Sequence, residues 1–252
     1  MKSVAVVLAV FLAYQCLAVR HPGPLVQPGG LSLSRTLSKP SKVGAMDLCS
    51  FCVDFAHNAI QTIGEAILEG GLTKGCQGLC AIVGNKTDSK AVELACDTLC
   101  VAVGFDEFVH AFQKADVDPI YYCELLNQCP IVDNGDATTT LFDVNPKSGP
   151  QGDFIFDVEY ETKNGTGTGE LLLLIDTVDQ WPVGGSFLNE PQAPGKYGMK
   201  MTLHAVPNGG ESFMPGDYNA TLQICNGQCM SKHPHSKIYD TKKTNFTITP
   251  SD

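Results

Sequence analysis

Basic residues are scarce in this sequence. Lys and Arg number 17 against 27 Asp and Glu, which leaves a formal charge of −10. Such a balance argues against nucleic acid as a partner and against simple attraction to anionic membranes. Long hydrophobic runs are missing after the first 20 residues. The longest later aliphatic run is LLLLI at 171–175, far short of the ~20 residues that cross a bilayer. Catalytic motifs are missing as well: there is no G-x-S-x-G, no H-E-x-x-H, no phosphate-cradling glycine loop and no kinase set. The expected function is therefore non-enzymatic, with no cofactor and no metal. Tryptophan occurs once, as Trp181 in DQWPVGG, where it either anchors a partner or packs as a loop residue on the edge of a sheet.

Cysteine is what the sequence has in quantity, with 11 residues. Their chemistry depends on compartment. The chain opens MKSVAVVLAVFLAYQCLAVR, with Lys2, an apolar stretch over 4–14 and small residues near Ala18. That reads as a secretory signal over 1–18. Cys16 leaves with it, and ten cysteines remain, an even number in an oxidising compartment. Zinc is the competing reading, but no histidine stands at ligand spacing near the cluster. Four sequons agree with export, at Asn85, Asn164, Asn219 and Asn245. The expected location is extracellular, with a lysosomal or vesicular lumen as the alternative. Residues 19–46, rich in Pro, Gly and Ser, read as a leader or pro-segment that does not pack.

From Asp47, a plausible N-cap, the texture is helical. In DLCSFCVDFAHNAIQTIGEAILEGG the apolar residues recur every three or four positions, and Gly70-Gly71 closes the run. A second helix is expected over about 72–83 and a turn at Gly84-Asn85-Lys86-Thr87-Asp88. A third helix starts near Ser89, a fourth is FDEFVHAFQKA, and a fifth begins at Asp118-Pro119. Residues four apart on a helix share a face. Cys76 and Cys80 thus face Cys96 and Cys100 across a hairpin, and helix geometry favours the nested pairs Cys80–Cys96 and Cys76–Cys100. Nesting also gives Cys49–Cys129 and Cys52–Cys123, tying the first helix to the last. Sequence alone leaves 105 connectivities open for eight cysteines. Phe51, Phe55 and Phe105 read as core. His57 and His110 read as partly buried helical histidines or, alternatively, charge switches. Asp54, Glu65 and Glu69 read as a wet helix face.

After Pro130 the residues alternate. TTTLFDVNP, GDFIFDVEYETKN, GELLLLIDTVD, KYGMKMTLHAVP, GDYNATLQIC and TNFTITP read as strands separated by turn residues. Six or seven strands in 131–252 imply an antiparallel β-sandwich, immunoglobulin-like in its simplest form. Tyr218 reads either as a tyrosine corner or as an ordinary turn residue. Cys225 and Cys229 flank Asn226-Gly227, a tight-turn pair, and are expected to form a local bridge. His233-Pro234-His235 reads as a solvated loop rather than a metal site. The fold class is thus α+β, a disulfide-bonded five-helix bundle over 47–130 followed by the sandwich.

An opening C-x2-C, a bridged helical hairpin and a closing C-x5-C resemble a saposin B-type domain over 47–130. The departure is eight cysteines where such domains usually carry six, which implies a stiffer bundle. The whole pattern, with GDFIFDVEY, GTGTGELLLLIDTVDQWP and PGDYNATLQICNGQC in the second half, resembles the countin family of social amoebae. That resemblance implies a secreted subunit of the counting factor, a complex that limits aggregate size by lowering adhesion and altering motility. Its implied partners are other secreted subunits or a cell-surface receptor. The alternative is a saposin-like protein that binds lipid or permeabilises membranes in the manner of amoebapores.

Overall fold

The computed structural model describes residues 31–37, 48–68, 75–115, 117–180, 182–207 and 212–250. The expected signal over 1–18, the N-cap Asp47, Glu69, the Gly70-Gly71 cap and Trp181 lie outside the described residues.

Five helices follow one another: α1 (Leu48–Leu68), α2 (Gly75–Thr87), α3 (Lys90–Val103), α4 (Phe105–Ala115) and α5 (Pro119–Leu125). The repeat of three and four in α1 puts Cys52, Phe55, Ala56, Ala59, Ile60, Ile63 and Ala66 on one buried face. Phe108 and Tyr122 meet edge-to-face there, with ring centroids 5.8 Å apart. Phe55 is buried in this core, while Phe51 and Phe105 pack partly buried against it. His57 and His110 are exposed, which corrects their reading as partly buried. Both lie on the side of their helix that faces away from the core.

The hairpin turn is tighter than expected. Residues 84–87 are helical, so Asn85 lies in the last turn of α2 and not in a loop. The Thr87 hydroxyl donates to the carbonyls of Val83 and Gly84 at 2.9 and 3.3 Å. Lys86 pairs with Glu65 of α1 at 3.2 Å. The reversal is made by Asp88, at φ 48°, and by Ser89, whose hydroxyl accepts from the Val92 N–H at 3.3 Å and caps α3.

Ten cysteines of the described residues form five disulfides. Cys49–Cys129 and Cys52–Cys123 join α1 to the end of the bundle, with Cα atoms 4.6 and 5.9 Å apart. Cys76–Cys100 and Cys80–Cys96 cross the α2–α3 hairpin at 5.7 and 5.5 Å. Cys225–Cys229 closes a local loop at 5.4 Å.

The second half is two sheets. The strands are β1 (Leu31–Leu37), β2 (Thr138–Asn145), β3 (Ser148–Gly149), β4 (Gly152–Thr162), β5 (Gly169–Asp176), β6 (Val183–Asn189), β7 (Gly195–Ala205), β8 (Gly216–Asn226) and β9 (Lys237–Ile248). One sheet has the order β1-β7-β4-β2 and the other β3-β9-β8-β5-β6. Alternation sets the inner face: Phe154, Phe156, Val158 and Tyr160 of β4 share one core with Leu171, Leu173 and Ile175 of β5 and with Tyr218, Ala220, Leu222 and Ile224 of β8. Tyr218 is buried, and its hydroxyl donates to the Met214 carbonyl at 2.6 Å.

Besides the two-residue β3, two strands escape the sequence reading. In β6, Gly184-Gly185 looks like a turn, yet a Cβ at Gly184 would stand 2.5 Å from the Leu173 carbonyl oxygen. The glycine is there because β5 comes close. The other is β1. Residues 31–37 pair with β7, so this part of the leader packs as a strand. Its LSLSRTL alternation is masked by the Pro, Gly and Ser around it.

Candidate functional site at the domain junction

The two halves meet through polar groups taken out of water. Asp118 starts this junction. It is the N-cap of α5, preceding Pro119, and one carboxylate oxygen accepts from the Tyr121 N–H at 2.9 Å. The other oxygen accepts from the Ser231 hydroxyl at 2.7 Å. One buried side chain, 3% exposed, thus caps a helix and holds a loop of the sheet half. Tyr121, one turn on, stacks on His233 with ring centroids 4.4 Å apart and an interplanar angle of 11°. The Ser231 hydroxyl also accepts from the His233 N–H at 3.2 Å, which fixes the loop under the ring.

That loop is anchored by the Cys225–Cys229 bridge. The Cys229 N–H donates to the Glu170 carboxylate of β5 at 2.8 Å. Burial pushes the Glu170 carboxyl up, Asp118 pushes it further, and hydrogen bonds from Ser186 and Cys229 together with His57 oppose the rise. Cys49 Sγ of α1 lies 3.5 Å from Thr168 Oγ1 just before β5, and Leu188 of β6 packs against the helical core. The contact therefore runs along α1 and α5 on one side and along β5, β6 and the 226–236 loop on the other.

Glu124 is a buried acid that is not fully satisfied. It is 4% exposed, and one carboxylate oxygen has no hydrogen-bond partner. Burial raises its pKa from 4.5 to about 7; His235 lowers it, and Asp118 and Asp133 add to the rise. His235 is itself held, with Nδ1 2.6 Å from an Asp133 carboxylate oxygen. A folded-state pKa above the unfolded one means that the folded protein holds the proton more tightly. Stability from this group is complete below about pH 4.5 and is lost as pH rises through about 7. We predict that Glu124→Gln, which keeps the neutral shape, matches the parent in stability near pH 4.5. By pH 8 it should exceed the parent by on the order of 2 kcal/mol. Urea midpoints across this range check it. A constant difference at every pH would contradict the assignment.

The junction corrects one sequence expectation. His233 and His235 are not solvated loop residues: the first stacks on Tyr121 and the second meets Asp133. Among the described residues no three His, Cys, Asp or Glu side chains are gathered to hold a metal ion. Asp118, Tyr121, Glu124, Glu170 and Ser231 were not singled out as site residues. A signal existed only for Glu124, a lone acid inside the apolar string IYYCELL.

Comparison with known proteins decides the family. Residues 47–127 match the Countin N-terminal domain and residues 137–252 match the Countin C-terminal domain. The chain belongs to the countin family. It is 34% identical to Countin-1 of Dictyostelium discoideum over 88% of this chain and 85% of that one. Identity to Countin-3 of the same organism is 35%, over 79% of this chain and 89% of the relative. Countin-2 is likewise 35% identical, over 80% of this chain and 78% of its own length.

The matched countin ranges fall on either side of the link 128–136, and the junction draws on both: Asp118, Tyr121 and Glu124 from the first, Glu170, Ser231 and His235 from the second. All four sequon asparagines of this countin-family chain, Asn85, Asn164, Asn219 and Asn245, are exposed. Asn219 of β8 and Asn245 of β9 are direct cross-strand partners. No described helix is long and apolar enough to cross a membrane.

Proposed function

We propose that this protein is a secreted, non-catalytic glycoprotein subunit of a counting-factor-type complex, which limits group size by reducing adhesion and altering motility. The observation that carries the reading is the match to both countin domains in order, with relatives covered over most of their length. The physical design is in keeping with it. Eight cysteines make the helical half stiff, and we read that half as a saposin B-type module in which extra bridging replaces opening around lipid. The sheet half we read as an immunoglobulin-like sandwich with a tyrosine corner at Tyr218. Its partners are other secreted subunits or a cell-surface receptor. Sugars on Asn85, Asn164, Asn219 and Asn245 would stand on its outside, with those at Asn219 and Asn245 side by side.

Lipid binding is the competing reading. Leu94 and Val101, seven residues apart on α3 and each 67% exposed, are the observation that favours it. One paired experiment separates the two. Purified protein is added to developing Dictyostelium discoideum cells, and the same preparation is tested for dye release from anionic liposomes at pH 5 and pH 7. The countin-type reading expects smaller groups and intact liposomes. Unchanged group size with strong leakage at acid pH would overturn it.

A further inference from the structure

Strand β1 is an anomaly in the order of the chain. It precedes the helical half, yet it pairs with the sheet half. Its ladder on β7 is antiparallel, with Leu31 opposite Leu203, Ser32 opposite Thr202, Leu33 opposite Met201, Ser34 opposite Lys200 and Arg35 opposite Met199, and a register shift before Leu37 meets Gly198. Strand and receiver are thus separated in sequence by the whole helical half and by β2 to β6, and no hairpin joins them.

The countin domains do not include β1: the matched ranges are 47–127 and 137–252. Within those ranges the first sheet is complete as β7-β4-β2, and β4 pairs with β7 along its whole length, from Gly152–Ala205 to Thr162–Gly195. Without β1, β7 would be an edge. The strand GKYGMKMTLHA has no proline, and its ladder to β4 runs without a register shift. Proline and a bulge, two of the devices that stop an edge from taking another strand, are thus both missing from it. An 11-residue, regular edge of this kind is a template for an added strand.

We infer that the outer edge of β7 is a strand-accepting docking site and that its occupant in an assembled form is residues 31–37 of a second copy of this chain. The argument for that occupant is on the edge itself: LSLSRTL is the segment whose register on β7 the structure records. Exchange between copies keeps every backbone pair of the ladder while joining two chains, the usual logic of a swapped element. In a single chain the covalently attached strand competes at an effective concentration of about 1 mM. The exchange therefore needs concentrated protein or an already assembled complex. The inference stands independently of the function proposed above.

Two tests bear on it. The first uses a variant lacking residues 19–46 and a fluorescent peptide of residues 28–40, with a thermal melt to show that the variant is folded. The variant should bind the peptide, and the chain retaining 19–46 should bind it at least about tenfold more weakly, because its own strand holds the site. The second mixes two full-chain variants at high concentration, Ser32→Cys and Thr202→Cys, which stand opposite each other in the ladder. A disulfide-linked heterodimer between them is expected under mild oxidation. A folded truncated variant that ignores the peptide, or a mixture that forms no cross-linked dimer, would overturn the inference.

Discussion

Replacing Cys49, Cys52, Cys123 and Cys129 together by alanine is expected to cost the helical half about 6–7 kcal/mol. The outer bridge closes a chain segment of 80 residues and the inner one a segment of 71. Loop-closure entropy for a segment of that size is worth about 4.5 kcal/mol in the unfolded chain. The two bridges are nested, so their contributions do not add. Either one alone already closes nearly the same long loop, and the second closes only the short ring of 49–52 and 123–129. Removing Cys52–Cys123 by itself should therefore cost only about 2–3 kcal/mol, while removing both also loses the long closure. Since domains hold only about 5–15 kcal/mol in total, the quadruple variant is expected to be unfolded or close to it at 37 °C. Urea titration of helical circular dichroism reads this out. Losses that simply add between the two pairs would contradict the nested arrangement.

Phe246→Ala should remove about 3–5 kcal/mol from the sheet half. The ring is 2% exposed and sits between the two sheets. Its centroid lies 4.6 Å from that of Phe154 and 5.8 Å from that of Phe156, both on β4, and 5.1 Å from that of Tyr218 on the neighbouring strand β8. Truncation leaves a cavity that backbone on both sides holds open. Phe142 gives the comparison. It stacks on Phe156 at 5.9 Å but is only partly buried, so Phe142→Ala should cost about a third as much. Calorimetric unfolding of the two variants measures the ratio. Similar losses would mean that Phe246 does not join the sheets.

Much of this architecture could be read from residue order. Helix α1 was legible because Cys52, Phe55, Ala56, Ala59, Ile60 and Ile63 repeat at the helical period. The cysteines at 76, 80, 96 and 100 were legible because a spacing of four means one face. Strands β4 and β8 were legible because FIFDVEY and YNATLQI alternate. The failures have local causes. The end of α2 looked like a turn because Gly84, Asn85 and Thr87 favour one in isolation. There the hydrogen bonds of Thr87 and the Lys86–Glu65 pair outweigh that preference. The residues 31–37 were hidden because composition was weighed over a leader four times as long. The pairings of the junction could not be read: Asp118 and Ser231 are 113 residues apart in sequence, and no periodicity relates them.

The junction and the leader strand together change what the two countin domains mean as parts. Chain passes between the halves twice, once from β1 into α1 and once from Cys129 into β2. Glu124 and Glu170, both pushed up by burial, then make the contact dependent on protons. Four bridges tie the helices of the first half to one another, and acidity is a variable that acts on how the two halves hold together.

The most direct test of the central claim is the native size and composition of this protein in the medium of cells that express it. Non-catalytic action through surface contacts predicts a large complex containing other polypeptides, with oxidised cysteines and occupied sequons on this chain. Recovery as a free monomer without partners, active on its own in releasing liposome contents, would contradict it.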